Sequence, residues 1–125
     1  MGGEIRSYRD LIAWQKGIEL CKKVYAVSAL FPDQERFGLI SQVRRAAVSV
    51  PSNIAEGYGR RRKQDYVRFL DMALGSLCEA ETQLILAKEL GFAETDQLDS
   101  CLELVQEPGR VLFGLARSVS GSASG

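Results

Sequence analysis

Residues 42–63 read QVRRAAVSVPSNIAEGYGRRRK. With Leu39 just upstream they carry an apolar series at Leu39, Val43, Ala47, Val50 and Ile54. Steps of three and four are the period of one helical face, so the stretch predicts an amphipathic helix. Pro51 stands inside that series, where it removes an amide donor and crowds the carbonyl of Ala47. The periodicity carries through to Ile54, which predicts one kinked helix and not two. Ser49 and Ser52 are the expected partners for the freed backbone groups. Gly57 and Gly59 suit a left-handed stop, and four cations follow at Arg60, Arg61, Arg62 and Lys63.

Upstream, Leu11, Trp14, Ile18, Cys21 and Tyr25 repeat the same spacing and predict a first helix with those residues on its core stripe. Ser7 with Asp10 three residues on has the form of a capping box, and Phe31-Pro32 closes the segment. Asp33 and Glu35 favour the start of the second helix through their negative charge. Downstream, Val67, Leu70, Leu74, Leu77, Glu81 and Leu84 form one stripe of a long third helix. Tyr66, Phe69, Ala73, Ala80 and Ala87 form a second stripe, wider than one bundle seam needs. Gly91 ends that helix. A fourth, capped near Thr95 or Asp96, carries Leu98, Leu102, Val105, Leu112 and Leu115, with a kink or a break at Pro108-Gly109. With no strand signal and short connections, the chain reads as all-α: an antiparallel up-down-up-down four-helix bundle. Residues 7–119 make the bundle, preceded by a disordered stretch over 1–6 and followed by a flexible Gly/Ser tail over 120–125.

Composition narrows the chemistry. The 125 residues are 46% apolar and 26% charged, enough for one domain with a real core. Apolar runs are too short for a membrane span, and the first residues lack a signal peptide's apolar stretch, so a cytoplasmic protein is expected. There is no histidine, which removes the commonest general base and the Ser-His and Cys-His nucleophile pairs. Neither a P-loop nor a dinucleotide fingerprint is present. Glu56 and Glu81 lie nearest the apolar seams, but a carboxylate metal bundle needs Glu-x-x-His, which this chain cannot supply. No catalytic residue, metal, cofactor or small-molecule substrate is therefore expected. Cys21, Cys78 and Cys101 fall in apolar helical patterns and read as reduced core residues.

The zero net charge hides a segregation. Residues 36–68 hold eight Lys/Arg against two Asp/Glu, a net of +6, whereas residues 69–107 hold one against nine, a net of −8. Such a chain can offer a basic face to nucleic acid or stack it on a neighbour's acidic face. Arg60, Arg61, Arg62 and Lys63 suit phosphate contacts, although cations are unfavourable at the start of a helix. Arg44 and Arg45 diverge by about 100° on a helix. Arg44 borders a seam, where a pair with Glu56, Glu79 or Glu81 competes with a ligand contact. Tyr58, between glycines and beside the basic run, is the aromatic placed for a base. Asn53 could cap freed backbone or bond across an interface.

Several strings together resemble a known family. Leu11-Ile12-Ala13-Trp14-Gln15-Lys16, Phe31-Pro32 with Glu35, and Phe37-Gly38-Leu39 are followed by residues 42–57, whose RRAAVSVPSNIAEG is the most specific part. Gly59-Arg60, Tyr66, Phe69-Leu70, Ala73-Leu74-Gly75-Ser76, Glu79 and Glu81 extend the likeness, which covers roughly residues 7–118. The chain is similar to the four-helix bundle proteins encoded in intervening sequences of bacterial 23S ribosomal RNA genes. That family is related to the accessory variability determinants of diversity-generating retroelements. The resemblance implies antiparallel bundles that associate as pentameric rings, which would explain the double stripe of the third helix. It also implies a basic surface for nucleic acid or a reverse transcriptase-like partner, here at Arg44, Arg45, Arg60, Arg61, Arg62 and Lys63. It brings no catalytic residues. The leading expectation is a non-enzymatic, ring-forming homo-oligomer that binds structured RNA or a ribonucleoprotein. The rivals are a protein-interaction adaptor and an oligomeric scaffold without a nucleic-acid ligand.

Overall fold

A computed structural model describes residues 4–124, with side chains described as far as Gly121. Helix α1 spans Ile12–Ser28, α2 Leu39–Tyr58, α3 Lys63–Glu89 and α4 Thr95–Ser124, with 3-10 turns at Tyr8–Asp10 and Asp33–Glu35. No strand occurs among the described residues, and the fold is a four-helix bundle. Each helix packs on two others, in the cycle α1, α2, α3, α4 and back to α1. The expected disorder over 1–6 falls, for residues 1–3, outside the described residues, as does Gly125 of the expected tail. From residue 120 to Ser124, where composition predicts a flexible tail, α4 continues as helix.

The caps follow local chemistry. Ser7 and Asp10 form the capping box, Asp10 Oδ2 accepting from the Ser7 amide. It serves the 3-10 turn before α1 and not α1 itself. Glu35 Oε1 accepts from the Leu39 amide at 3.0 Å, starting α2. Gly91, at φ +70°, ends α3. The Phe92 amide donates to Ala87 O at 2.9 Å and the Gly91 amide to Lys88 O at 3.1 Å, the paired bonds of a Schellman ending. At the end of α2, by contrast, Gly59 keeps right-handed geometry at φ −80°, and Gly57 lies within the helix.

Pro51 is accommodated by α1. An added Cβ at Gly17 would sit 3.3 Å from Pro51 Cδ, so the ring packs against a glycine. The Ala47 carbonyl, which loses its amide partner to the proline, accepts instead from the Cys21 thiol at 3.1 Å. This corrects the expectation of Ser49 and Ser52: Ser49 O and Oγ both accept from Asn53 Nδ2, and Ser49 Oγ also accepts from Ser76 Oγ, while Ser52 is exposed. Asn53 thus bonds within α2. Pro108 is fully buried in α4, which runs through Pro108-Gly109 without a break.

The core confirms some seams and moves others. Leu39, Val43, Ala47, Val50 and Ile54 are all buried. In α1 the buried line is Ala13, Gly17, Leu20, Val24 and Val27. Trp14, Ile18 and Cys21 lie beside it half-buried, and Tyr25 is exposed. The two stripes of α3 meet as one wide face because α3 packs on both α2 and α4, so the double stripe needs no neighbouring subunit to explain it. Lys16 pairs with Glu107 at 3.3 Å between α1 and α4, and Lys88 with Asp99 at 2.7 Å between α3 and α4.

The cysteines differ more than their pattern suggests. Cys101 is buried, Cys21 half-buried and Cys78 exposed. Burial pushes the Cys21 and Cys101 thiols up to about 11, which suppresses the reactive thiolate. At pH 8, an alkylating reagent is expected to modify Cys78 rapidly and the other two only as fast as the protein opens. Mass spectrometry of partially labelled protein reads this directly. Rapid labelling of Cys21 in the folded state would contradict its bond to Ala47.

Candidate nucleic-acid interface

The expected site residues fall in two groups at opposite ends of α2. Arg44 and Arg45 lie in its first half, whereas Tyr58 is its last residue and Arg60, Arg61, Arg62 and Lys63 form the connection into α3. About 20 Å of helix separates Arg45 from Tyr58 at 1.5 Å per residue. They form two surfaces, not one patch.

Two of the six cations are engaged inside the chain. Arg44 Nε donates to Ser28 Oγ at 2.8 Å and Arg44 NH2 to Tyr25 O at 3.2 Å. Its guanidinium also lies 4.5 Å from the centre of the Tyr25 ring. It therefore holds the C-terminal turn of α1, where a cation complements the exposed carbonyls. The expected pair with Glu56, Glu79 or Glu81 is not formed, because Arg44 turns towards α1. Arg60 pairs with Glu56 at 2.8 Å and stands 4.8 Å from the centre of the Phe69 ring. Arg45, Arg61, Arg62 and Lys63 are exposed and, among the described residues, make no ion pair.

The second surface is shaped by helix ends. Arg62 is the N-cap residue of α3 in extended geometry, and no side chain caps that helix. An uncapped N-terminus leaves amides unpaired and favours an anion. Asp65 is the acidic residue of the first turn, with Arg68 at 4.0 Å. Arg62, Lys63, Gln64, Val67 and Ser120 line an open depression of about 600 Å3 beside these amides. Tyr58 is half-buried, edge-on to Tyr66 with ring centres 6.2 Å apart, and burial pushes the Tyr66 phenol up. Tyr58 packs within the corner and supports its shape.

Phe37 and Arg36, beside the first group, were not singled out by sequence reasoning. Phe37 is 89% exposed, with the Arg36 guanidinium 6.0 Å from its ring centre. An aromatic within the polar turn 33–38 was the available signal. Among the described residues, no group of three or more His, Cys, Asp or Glu could hold a metal ion. No helix of the described residues is long and apolar enough to cross a membrane.

The family model for the 23S rRNA-intervening sequence protein matches residues 9–114, nearly the whole bundle. The chain belongs to this family. Among solved structures, the chain is similar to a crystal structure of a protein of unknown function from the S23 ribosomal protein family of Bacteroides thetaiotaomicron VPI-5482. The two share 21% identity over 85% of this chain and 99% of that one, with a TM-score of 0.78. At that identity the likeness concerns the fold. No curated protein matches the chain. The family match spans α1, α2, α3 and α4 as far as Gly114, so both basic surfaces of the chain lie within the matched bundle.

Proposed function

We propose that this chain is a non-enzymatic bundle that binds structured RNA, or an RNA-protein complex, through the corner at residues 60–63. The observation that carries this reading is that Arg61, Arg62 and Lys63 are exposed and, among the described residues, in no ion pair, beside an N-terminus of α3 that no side chain caps. Folding gains little from such an arrangement, since cations at a helix N-terminus oppose its dipole. A phosphate reverses the sign, accepting from the free amides while neutralising the cations. Contacts of this kind give affinity with little sequence discrimination. Several copies in a closed ring, a pentamer by the family resemblance, would make weak corners act together. A reverse transcriptase-like partner would meet the same surface.

A second reading, a protein-interaction adaptor, draws on the acidic half. Met72, Ile85, Leu86 and Phe113 are exposed on α3 and α4, whose surface carries most of the chain's carboxylates. The first experiment is native mass by light scattering at low salt, with and without a structured RNA hairpin. The binding reading expects an oligomer that gains mass with RNA and loses the gain as salt rises. An oligomer indifferent to RNA at low salt would favour the adaptor.

A further inference from the structure

Phe37 is the most exposed large apolar side chain of the described residues. It is not a loose end. The Arg36 amide donates to Asp33 O at 3.1 Å and the Gly38 amide to Glu35 O at 3.0 Å, so the backbone on both sides is fixed. Burial contributes almost nothing at such a position, so packing does not explain the residue. With Tyr25, Ile40, Val48, Arg44 and Arg45 it lines an open depression of about 460 Å3. Tyr25 and Val48 are themselves 46% and 40% exposed.

The charges around this depression share one sign. Arg36, Arg44 and Arg45 line it and no carboxylate does. The carboxylates of the preceding turn are Asp33 and Glu35, and Glu35 is committed to the Leu39 amide. Arg44 is held by α1 and lies over the Tyr25 face, whereas Arg45 makes no ion pair among the described residues. The exposed Phe37 ring, with Arg36 and Arg45 beside it and in no ion pair among the described residues, suits a flat ring flanked by anionic groups. A shallow, open form offers a ring face and few groups to read a base edge.

We propose that this depression receives an unpaired base of a single-stranded RNA segment. The base stacks on Phe37 and its flanking phosphates meet Arg36 and Arg45. This rests on the reading of RNA as the partner, but it assigns a different surface and a different chemistry. The corner at residues 60–63 grips phosphate whatever the pairing, while the Phe37 depression requires a base free of its partner. Stacking of this kind tolerates any base, because each has a π-face.

The test uses the full chain with three probes: a short oligouridine, an abasic ribose-phosphate strand of the same length, and a blunt-ended, fully paired RNA duplex. Wild-type protein is expected to bind oligouridine about tenfold more tightly than the abasic strand, within the range one stacked base contributes. Phe37→Ala should abolish that preference and leave duplex binding unchanged, whereas Phe37→Trp should keep it. Since the side chain is almost wholly exposed, thermal unfolding of both variants should match wild type. Equal wild-type affinity for oligouridine and the abasic strand, or a preference that survives Phe37→Ala, overturns the stacking site and leaves the corner standing. Failure to bind any probe overturns both readings. Loss of self-association in Phe37→Ala, without a base preference in wild type, gives the surface to a second copy of the chain and also overturns the proposal.

Discussion

Replacing Arg61, Arg62 and Lys63 together by alanine is expected to weaken RNA binding by up to about a hundredfold at low salt. That figure follows from roughly 1 kcal/mol for each of three exposed charge contacts. The slope of log affinity against log salt should fall by about 2 to 3, at 0.7 to 0.9 per lost phosphate contact. Stability should move the other way or not at all. None of the three side chains makes an ion pair among the described residues, and surface changes of this kind stay within about 0.5 kcal/mol. Removing positive charge from the start of α3 adds a few tenths at most. Reduced binding together with an unchanged urea midpoint therefore separates a ligand surface from a structural one. Arg60→Ala serves as the contrast: Arg60 is committed to Glu56 and the Phe69 ring, so its loss should affect the corner's packing more than the salt slope. If the triple variant instead falls apart as an oligomer while wild type ignores RNA, the basic corner meets acidic surfaces of neighbouring subunits, and the adaptor reading replaces this one.

What the sequence made legible divides by the kind of interaction. The α2 seam could be read residue by residue because Leu39, Val43, Val50 and Ile54 are bulky, and all of them are buried. The α1 seam is displaced by one position for the opposite reason. Gly17 packs against Pro51 of α2, where a Cβ would come to 3.3 Å, and Ala13 joins it on the buried line. A count of large apolar groups passes over both and settles on Trp14, Ile18 and Tyr25 beside them. Small residues mark where helices come nearest, yet they contribute little to a periodicity. Local signals survived well: the Ser7-Asp10 box and the Gly91 stop depend on neighbours within a few residues. Long-range partners did not. The partners of Arg44 lie 16 and 19 residues away on α1, and the thiol that serves Ala47 lies 26 residues away; nothing in residues 42–63 points to either. The basic run was legible because exposed charge needs no packing to be recognised, whereas Phe37 was passed over as a core aromatic although it stands in the polar turn 33–38.

The α2–α3 crossing supplies the sharpest stability prediction. An ideal Cβ at Gly57 would lie 2.7 Å from Phe69 Cβ, 3.2 Å from Tyr66 Cδ1 and 3.3 Å from Tyr66 O. The nearest of these is the root of a side chain and the last is backbone, so a rotamer change relieves neither. Either α3 moves away from α2, or contacts are compressed below what real structures tolerate. Overpacking costs about 1 to 3 kcal/mol, against a gain of about 1 kcal/mol in helix propensity for Gly→Ala. Gly57→Ala is therefore expected to be net destabilising by up to about 2 kcal/mol, and Gly57→Leu by about 3 kcal/mol or more, where a larger group must fit the same gap. Gly75, in the exposed middle of α3 with nothing within 4 Å of a added Cβ, gives the opposite sign: Gly75→Ala should stabilise by about 0.5 to 1 kcal/mol. Urea unfolding of the paired variants measures both. Equal gains at the two positions would show that the helices are not in contact at Gly57. The same crossing sets how Arg60 meets Phe69 and how residues 60–63 leave α2, so a Gly57→Ala protein that still folds should also bind RNA less well than its net charge predicts. A loss of affinity with an unchanged salt slope would then trace to the placement of the cations and not to their number.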